Sequence, residues 1–398
     1  MVALGDNRVV AEQSAFASCK EILTSNVLNS LLIFVPLGIL AGYLEVRPTI
    51  VFALNFVSII PLASVLSDTT EVLASKTGNT LGGLLNASFG NVVELIVALM
   101  ALHRGQIRIV QTSMLGSILS NLILVLGCSF VAGGYNRVMQ QFSVTAAQTM
   151  SSVMCLSCIS LIIPATFSAT VNSNYDSSVL ALSRWTSIVL LIVYALYLVF
   201  QLKTHRALFE GEVEMTEDED DIPGKDLNKT QCIVMLGIVT LFVAFCAEYL
   251  VGSIEAVVEA TGLSSSFIGL VLLPIVGNAA EHVTAVFMAM KNKPDLAMNV
   301  AMGSSLQIAL FLTPLLVIWG WVIDVPMSLY FHTFESILLF VSVYLANLVL
   351  EDGQSHWFEG VLLIALYVII ATSYLFYPDD SELNKMVNQI GANILQPK

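Results

Sequence analysis

Apolar runs of about 20 residues recur along the chain from Val27 nearly to Tyr377, separated by short clusters of turn-forming and charged residues. As helices rising ~1.5 Å per residue, such runs are long enough to cross a hydrocarbon core ~30 Å thick. Eleven spans are predicted, at 27–44, 50–74, 81–102, 109–133, 142–167, 179–202, 231–251, 267–290, 296–321, 327–350 and 357–377. Their boundaries fall on clusters such as Lys76-Thr77-Gly78-Asn79, His103-Arg104-Gly105, Gly133-Gly134-Tyr135-Asn136 and Lys291-Asn292-Lys293-Pro294, where glycine, asparagine and proline interrupt helical periodicity. The pattern predicts an all-α integral membrane protein with no large soluble domain between its spans.

The chain also matches itself. Gly90, Asn91, Glu94, Ala98, Gly116, Ser117 and Leu119 pair with Gly277, Asn278, Glu281, Ala285, Gly303, Ser304 and Leu306 at a constant offset of 187 residues. After a three-residue adjustment, Glu71 and Thr77-Gly78 align with Glu255 and Thr261-Gly262, which carries the match into the preceding helix. The repeat unit is five spans, and an odd number of crossings sends the two copies through the membrane in opposite directions. That is the inverted-repeat plan of secondary transporters. The expected organisation is an N-terminal segment with helix 1 (1–46), a first five-helix repeat (47–203), an acidic linker (204–230), and a second repeat with a short tail (231–398).

Composition agrees: 56% of the 398 residues are hydrophobic and 12% charged, where soluble domains carry roughly 25% charged residues. The net charge of −14 disfavours nucleic acid as a partner and favours cations. Residues 1–26 lack the basic-then-apolar pattern of a cleaved signal peptide, so the first span is expected to be retained. With the N-terminus in the cytosol, ten Lys and Arg residues fall on the cytosolic side and six on the other, a bias that favours that orientation. The C-terminus is then luminal. The linker holds eight acids in twelve residues, Glu210, Glu212, Glu214, Glu217, Asp218, Glu219, Asp220 and Asp221. Such a run is usually solvated, but beside the seam of the two halves it is also placed to regulate or to concentrate cations. Cys155 and Cys158 have the spacing of a redox or zinc motif, yet inside a span cysteine ordinarily packs as a small hydrophobe.

Glu94 and Glu281 lie near the middle of their spans, and a charge there costs ~2.5 to 3.5 kcal/mol even on mild insertion scales, which makes an intramembrane acid a functional hypothesis. Each acid follows a Gly-Asn pair, Gly90-Asn91 and Gly277-Asn278. The glycine weakens the helix and frees backbone carbonyls toward a cavity, and the asparagine adds a neutral oxygen. This oxygen-only set suits Ca2+ and, less selectively, Mn2+ or Mg2+. Two acids sharing a low-dielectric cavity resist being charged together, so protons and a divalent cation compete for them. Ser117, Ser304, Asn121 and Gln307 on the following helices suit cavity lining, with helix packing as the alternative for the serines. His282 breaks the symmetry beside its acid, as a proton relay or as a hydrogen-bonding partner to a neighbouring helix. Glu71 and Glu255 lie about two turns from their helix ends, where lining an access pathway and ordinary boundary solvation are both open. No resident cofactor is expected; the ions are cargo, and the lipid bilayer is the surrounding partner.

The stretches GNVVELIVALMAL, GNAAEHVTAVFMAMKNK and GSSLQIALF resemble the cation/proton exchanger branch of the Ca2+/cation antiporters, and above all its vacuolar Ca2+/H+ exchangers. The similarity runs from the first span to the last. It implies that Glu94 and Glu281 are coupled Ca2+ and H+ carriers (metal and proton sharing one site), that Gly90, Asn91, Gly277 and Asn278 belong to two signature motifs, and that Ser117, Ser304 and Gln307 lie nearby. It also implies an acidic cytosolic helix between the halves, a vacuolar membrane, and an acidic lumen that drives export of cytosolic Ca2+ by alternating access. The rival readings are a Na+/Ca2+ exchanger and a passive cation channel. No catalytic constellation supports an enzyme.

Overall fold

The computed structural model describes residues 17–170, 176–210 and 224–378. A short helix α1 (Ala17–Thr24) meets the first span at 102°. That span opens as a 3-10 segment (Val27–Ile33) and continues as α2 (Phe34–Tyr43). The first repeat follows as α3 (Pro48–Thr77), α4 (Asn79–Phe89), α5 (Val92–His103), α6 (Ile107–Gly134), α7 (Val144–Thr170) and α8 (Asp176–Val199). A short α9 (Ala207–Glu210) leads into the linker. The second repeat comprises α10 (Lys229–Gly252), α11 (Ile254–Thr261), α12 (Ser265–Gly277), α13 (Ala279–Met290), α14 (Pro294–Val322), α15 (Thr333–Leu350) and α16 (Trp357–Leu375).

Among the described residues eight helices are long and apolar enough to cross a membrane, and three bent pairs bring the number to eleven. The molecule is therefore an all-α membrane protein, as the hydrophobic pattern predicts. Two of the bent pairs are the acid-bearing spans, broken by 42° between α4 and α5 and by 56° between α12 and α13. Both breaks fall at the Gly-Asn motifs, where Asn91 and Asn278 leave helical geometry. The expected span 327–350 is shorter than the pattern suggested. Asp324 adopts a positive φ of 56° and the chain stays non-helical up to His332, whose capping box with Glu335 starts α15.

Sequence periodicity did not predict π-helical turns, yet one interrupts α6 at Ser120–Val125 and another interrupts α14 at Ile308–Leu312. These two are repeat-equivalent. Further π turns occupy Ile268–Leu272 within α12 and Phe200–Thr204 after α8.

Threading places α1, the 135–143 connection, the 291–293 turn and the 351–356 turn on one face, called proximal here. A short antiparallel pairing of Gln140–Gln141 with Gln354–Ser355 ties two of these connections together. The 104–106, 253–264 and 323–332 connections lie on the distal face. The first helices of the two repeats, α3 and α10, pack along each other, and α6 and α14 are the most enclosed of the eight unbroken spans among the described residues. Outer helices leave Leu196, Leu241, Phe245, Ile337, Phe340 and Ile369 exposed, an apolar belt that suits lipid and would be an association surface in water.

Candidate functional site

Each Gly-Asn break creates a new helix N-terminus in the middle of a span. Glu94 is the third residue of α5 and Glu281 the third of α13, so each carboxylate sits in a first turn, where helix dipoles favour negative charge. The break does more than loosen the backbone, because it aims the positive end of a half-helix at each acid.

The two halves interlock through their polar side chains. Asn91 of the first repeat donates from Nδ2 to Gln307 Oε1 of the second at 2.7 Å. Asn121 of the first repeat donates to Glu281 Oε2 at 3.0 Å and to Ser304 Oγ at 2.6 Å. The single hydroxyl hydrogen of Ser304 has two acceptors at 2.8 Å, Asn91 Oδ1 and Glu281 Oε2. In the opposite direction Asn278 reaches the Ser117 carbonyl of the first repeat at 3.5 Å. Asn91, Asn121, Asn278, Ser117 and Ser304 are all buried.

Glu94 is 7% exposed and is surrounded differently. It borders a small cavity of about 20 Å³ together with Ser113, Ser117, Gly277 and apolar side chains of α3, α6, α10 and α12, space on the order of one water. Among the described residues no side chain hydrogen-bonds to its carboxylate. A Cβ added at Gly277 would stand 2.5 Å from Glu94 Oε1, so the second motif's glycine is what lets the first motif's acid approach the break. The charges of Glu94 and Glu281 lie within electrostatic reach of each other.

Two buried acceptors in this network lack a donor among the described residues: Asn121 Oδ1 and Asn278 Oδ1. A buried amide oxygen without a partner carries a desolvation cost of about 1 to 3 kcal/mol. Beside two carboxylates, a surplus of oxygen acceptors fits a cation better than further donors. Among the described residues no group of three or more His, Cys, Asp or Glu is placed to hold a metal ion, so any cation here would rely on neutral oxygens as well as the two acids.

Of the residues singled out in the sequence, Gly90, Asn91, Glu281, Ser304 and Gln307 join one cross-repeat cluster, and Glu94, Ser117 and Gly277 border the adjoining cavity. The Gly90 Cα approaches Gln307: an added Cβ would lie 3.4 Å from Oε1. His282 turns back to the Asn278 carbonyl on its own broken span at 2.8 Å. Glu71 lines a separate proximal cavity, while Glu255 accepts from Gln106 at 3.4 Å on the distal face. The acidic run lies outside the described residues except for the backbone of Glu210. Cys155 and Cys158 are free thiols, and Asn347 donates to Cys155 Sγ at 2.9 Å. Ser113 was not singled out. Glu335 was also missed, although an acid inside an apolar run was itself a signal; in the fold it is fully buried.

Residues 47–203 and 232–376 match the family described as sodium/calcium exchanger protein, and the chain belongs to this family of membrane ion exchangers. The chain is 51% identical over 361 residues to the "Vacuolar calcium ion transporter" of Schizosaccharomyces pombe, covering 90% of this chain and 87% of that protein. It is 43% identical to the "Ca(2+)/H(+) antiporter" of Aphanothece halophytica, with 89% and 97% covered. Among solved structures, native YfkE superposes with a TM-score of 0.76 at 36% identity, covering 88% of this chain and all of that one. The H+/Ca2+ exchanger CAX has a TM-score of 0.67 at 12% identity, a likeness of fold.

Proposed function

We propose that this protein exchanges Ca2+ for H+ across a vacuolar membrane by alternating access, with Glu94 and Glu281 as the shared carriers. The observation that carries this reading is the cross-repeat network: Glu281 is held by a donor from each repeat, next to two buried amide oxygens without donors. Two carboxylates with neutral oxygens form a hard donor set suited to Ca2+, with Mn2+ as a poorer fit to the same ligands. The names of the relatives point the same way.

The Ser304 hydroxyl supplies a way to couple the two ions. When Glu281 is ionised, Ser304 donates to it, and Asn91 Oδ1 is free to face a cation. When Glu281 carries a proton, it can donate to Ser304, whose own hydrogen then turns to Asn91 Oδ1. Proton binding therefore neutralises a carboxylate and withdraws a neutral oxygen in one step. Loaded with Ca2+ or with protons, the pair is near neutral and can reorient through the low-dielectric core; empty, it carries two charges and is held back.

In this reading the proximal face is cytosolic and the distal face luminal, and the acidic linker stands at the cytosolic mouth. The test is Ca2+ uptake into liposomes holding the purified protein, under an imposed pH gradient and without Na+. Uptake should follow the gradient and vanish in Glu94→Gln and in Glu281→Gln. Uptake that ignores the pH gradient, or that requires Na+, overturns the proton assignment.

A further inference from the structure

We infer that the segment from Arg104 to Arg108, the α5–α6 connection with the first turn of α6, is a latch that holds the distal face closed and must release each time the distal face opens. The inference rests on the alternating-access reading above. This segment links the two motif-bearing helices of the first repeat, α5 and α6. Three alternate residues on it each reach an acid on a different helix of the second repeat. Arg104 pairs with Glu248 at the end of α10, and Gln106 Nε2 donates to Glu255 of α11 at 3.4 Å. Arg108 pairs with Glu335 of α15 through both ends of its guanidinium, at 2.6 and 3.4 Å.

The last contact is the anchor. Glu335 is fully buried and Arg108 mostly so, and Glu335 Oε2 also accepts the His332 backbone N–H at 2.8 Å. Separating a buried, two-pronged ion pair leaves a charge without compensation, so this contact opposes opening until something replaces it.

Beneath the latch the backbones themselves meet. A Cβ at Gly116 of α6 would overlap the Leu270 carbonyl oxygen of α12, and one at Gly269 would overlap Thr112 Oγ1. The repeat-equivalent position on the proximal half is different. Gly303, the counterpart of Gly116, has nothing within 4 Å of an added Cβ. A proximal cavity of about 370 Å³ lies beside Gly83, the counterpart of Leu270, and Glu71. The same pair of elements is thus shut on the distal half and parted on the proximal half, and the three polar contacts sit on the shut side.

The experiment uses the full chain with its six native cysteines replaced and Ser113→Cys as reporter, since Ser113 lines the Glu94 cavity below the latch. The protein is placed in liposomes, and a membrane-impermeant thiol reagent is applied to each face in turn. With the latch intact, distal labelling should be slow. Arg108→Gln and Glu335→Gln should each raise it about tenfold, the exposed Arg104→Gln should raise it less, and the charge swap Arg108→Glu with Glu335→Arg should return it toward the slow rate. If the accessible face changes with pH and Ca2+ while Arg108→Gln and Glu335→Gln leave the distal rate unchanged, the latch is wrong and alternating access stands. If the reporter reacts equally from both faces under every condition, alternating access itself fails, and the latch with it.

Discussion

Glu94 and Glu281 are repeat equivalents, yet their surroundings diverge. Glu281 is fixed by hydrogen bonds from Asn121 and Ser304, whereas Glu94 leans on the Gly277 backbone at the edge of a small, mainly apolar cavity. The glycines one helix further on diverge as well: Gly116 is pressed against a backbone carbonyl and Gly303 faces open space. Inverted repeats cannot be superposed while one face is shut and the other open. In the proposed transport cycle, each difference between the copies marks something that has to be exchanged. In that reading Glu281 has donors that serve it through a change of charge, while Glu94 depends on an arriving ion or proton.

The glycine pair offers the strongest way to break this comparison. Gly116→Ala forces a methyl group onto the Leu270 carbonyl, which cannot swing aside as a side chain can, and should cost up to about 3 kcal/mol. Gly303→Ala should stay within ~0.5 kcal/mol. Thermal unfolding in detergent compares the two, and equal losses would mean that the copies are packed alike. Gly277→Ala acts on the acid itself. Its methyl would displace the flexible Glu94 carboxylate and should weaken apparent Ca2+ affinity roughly tenfold, for a cost of about 1 to 2 kcal/mol. The measurement is Ca2+-dependent uptake at fixed pH gradient, and an unchanged half-saturation point would detach Glu94 from the cation.

Ser304→Ala should weaken affinity less than Gly277→Ala. It removes one donor from Glu281 and leaves Asn121 in place, for a loss of about 1 kcal/mol, or roughly fivefold in apparent affinity. If Ser304 also links proton state to Asn91, the variant should take up less Ca2+ per unit of imposed pH gradient, and a Ser304→Thr variant should recover it.

Much of this architecture was legible in the residue pattern. Long apolar runs leave helices few alternatives in lipid, because each backbone group must find its partner within the span. The self-match at a constant offset exposed the inverted repeats, and the paired acids stood out because charge is rare at that depth. The Gly-Asn motifs marked the helix breaks, though not their angles, which depend on packing by the other repeat. The π turns had no visible signal, since no residue type encodes a shifted hydrogen-bond register. The pairing of Arg108 with Glu335 was hidden for a different reason. They lie 227 residues apart in the chain, and only the folding of one half onto the other makes them partners.

The π turns at Ser120–Val125 and Ile308–Leu312 have one more consequence. A π turn is wound more loosely than its neighbours, holding one residue beyond the α-helical count. It works as a phase shift, turning everything after it by about 100° relative to an unbroken helix. In α6 and α14 it lets one stretch aim polar side chains at the acids while the next presents an apolar face to its neighbours, a division that no straight amphipathic helix achieves. Removing a single residue from either turn would therefore leave composition and hydropathy almost untouched and yet rotate half a helix out of phase with its surroundings.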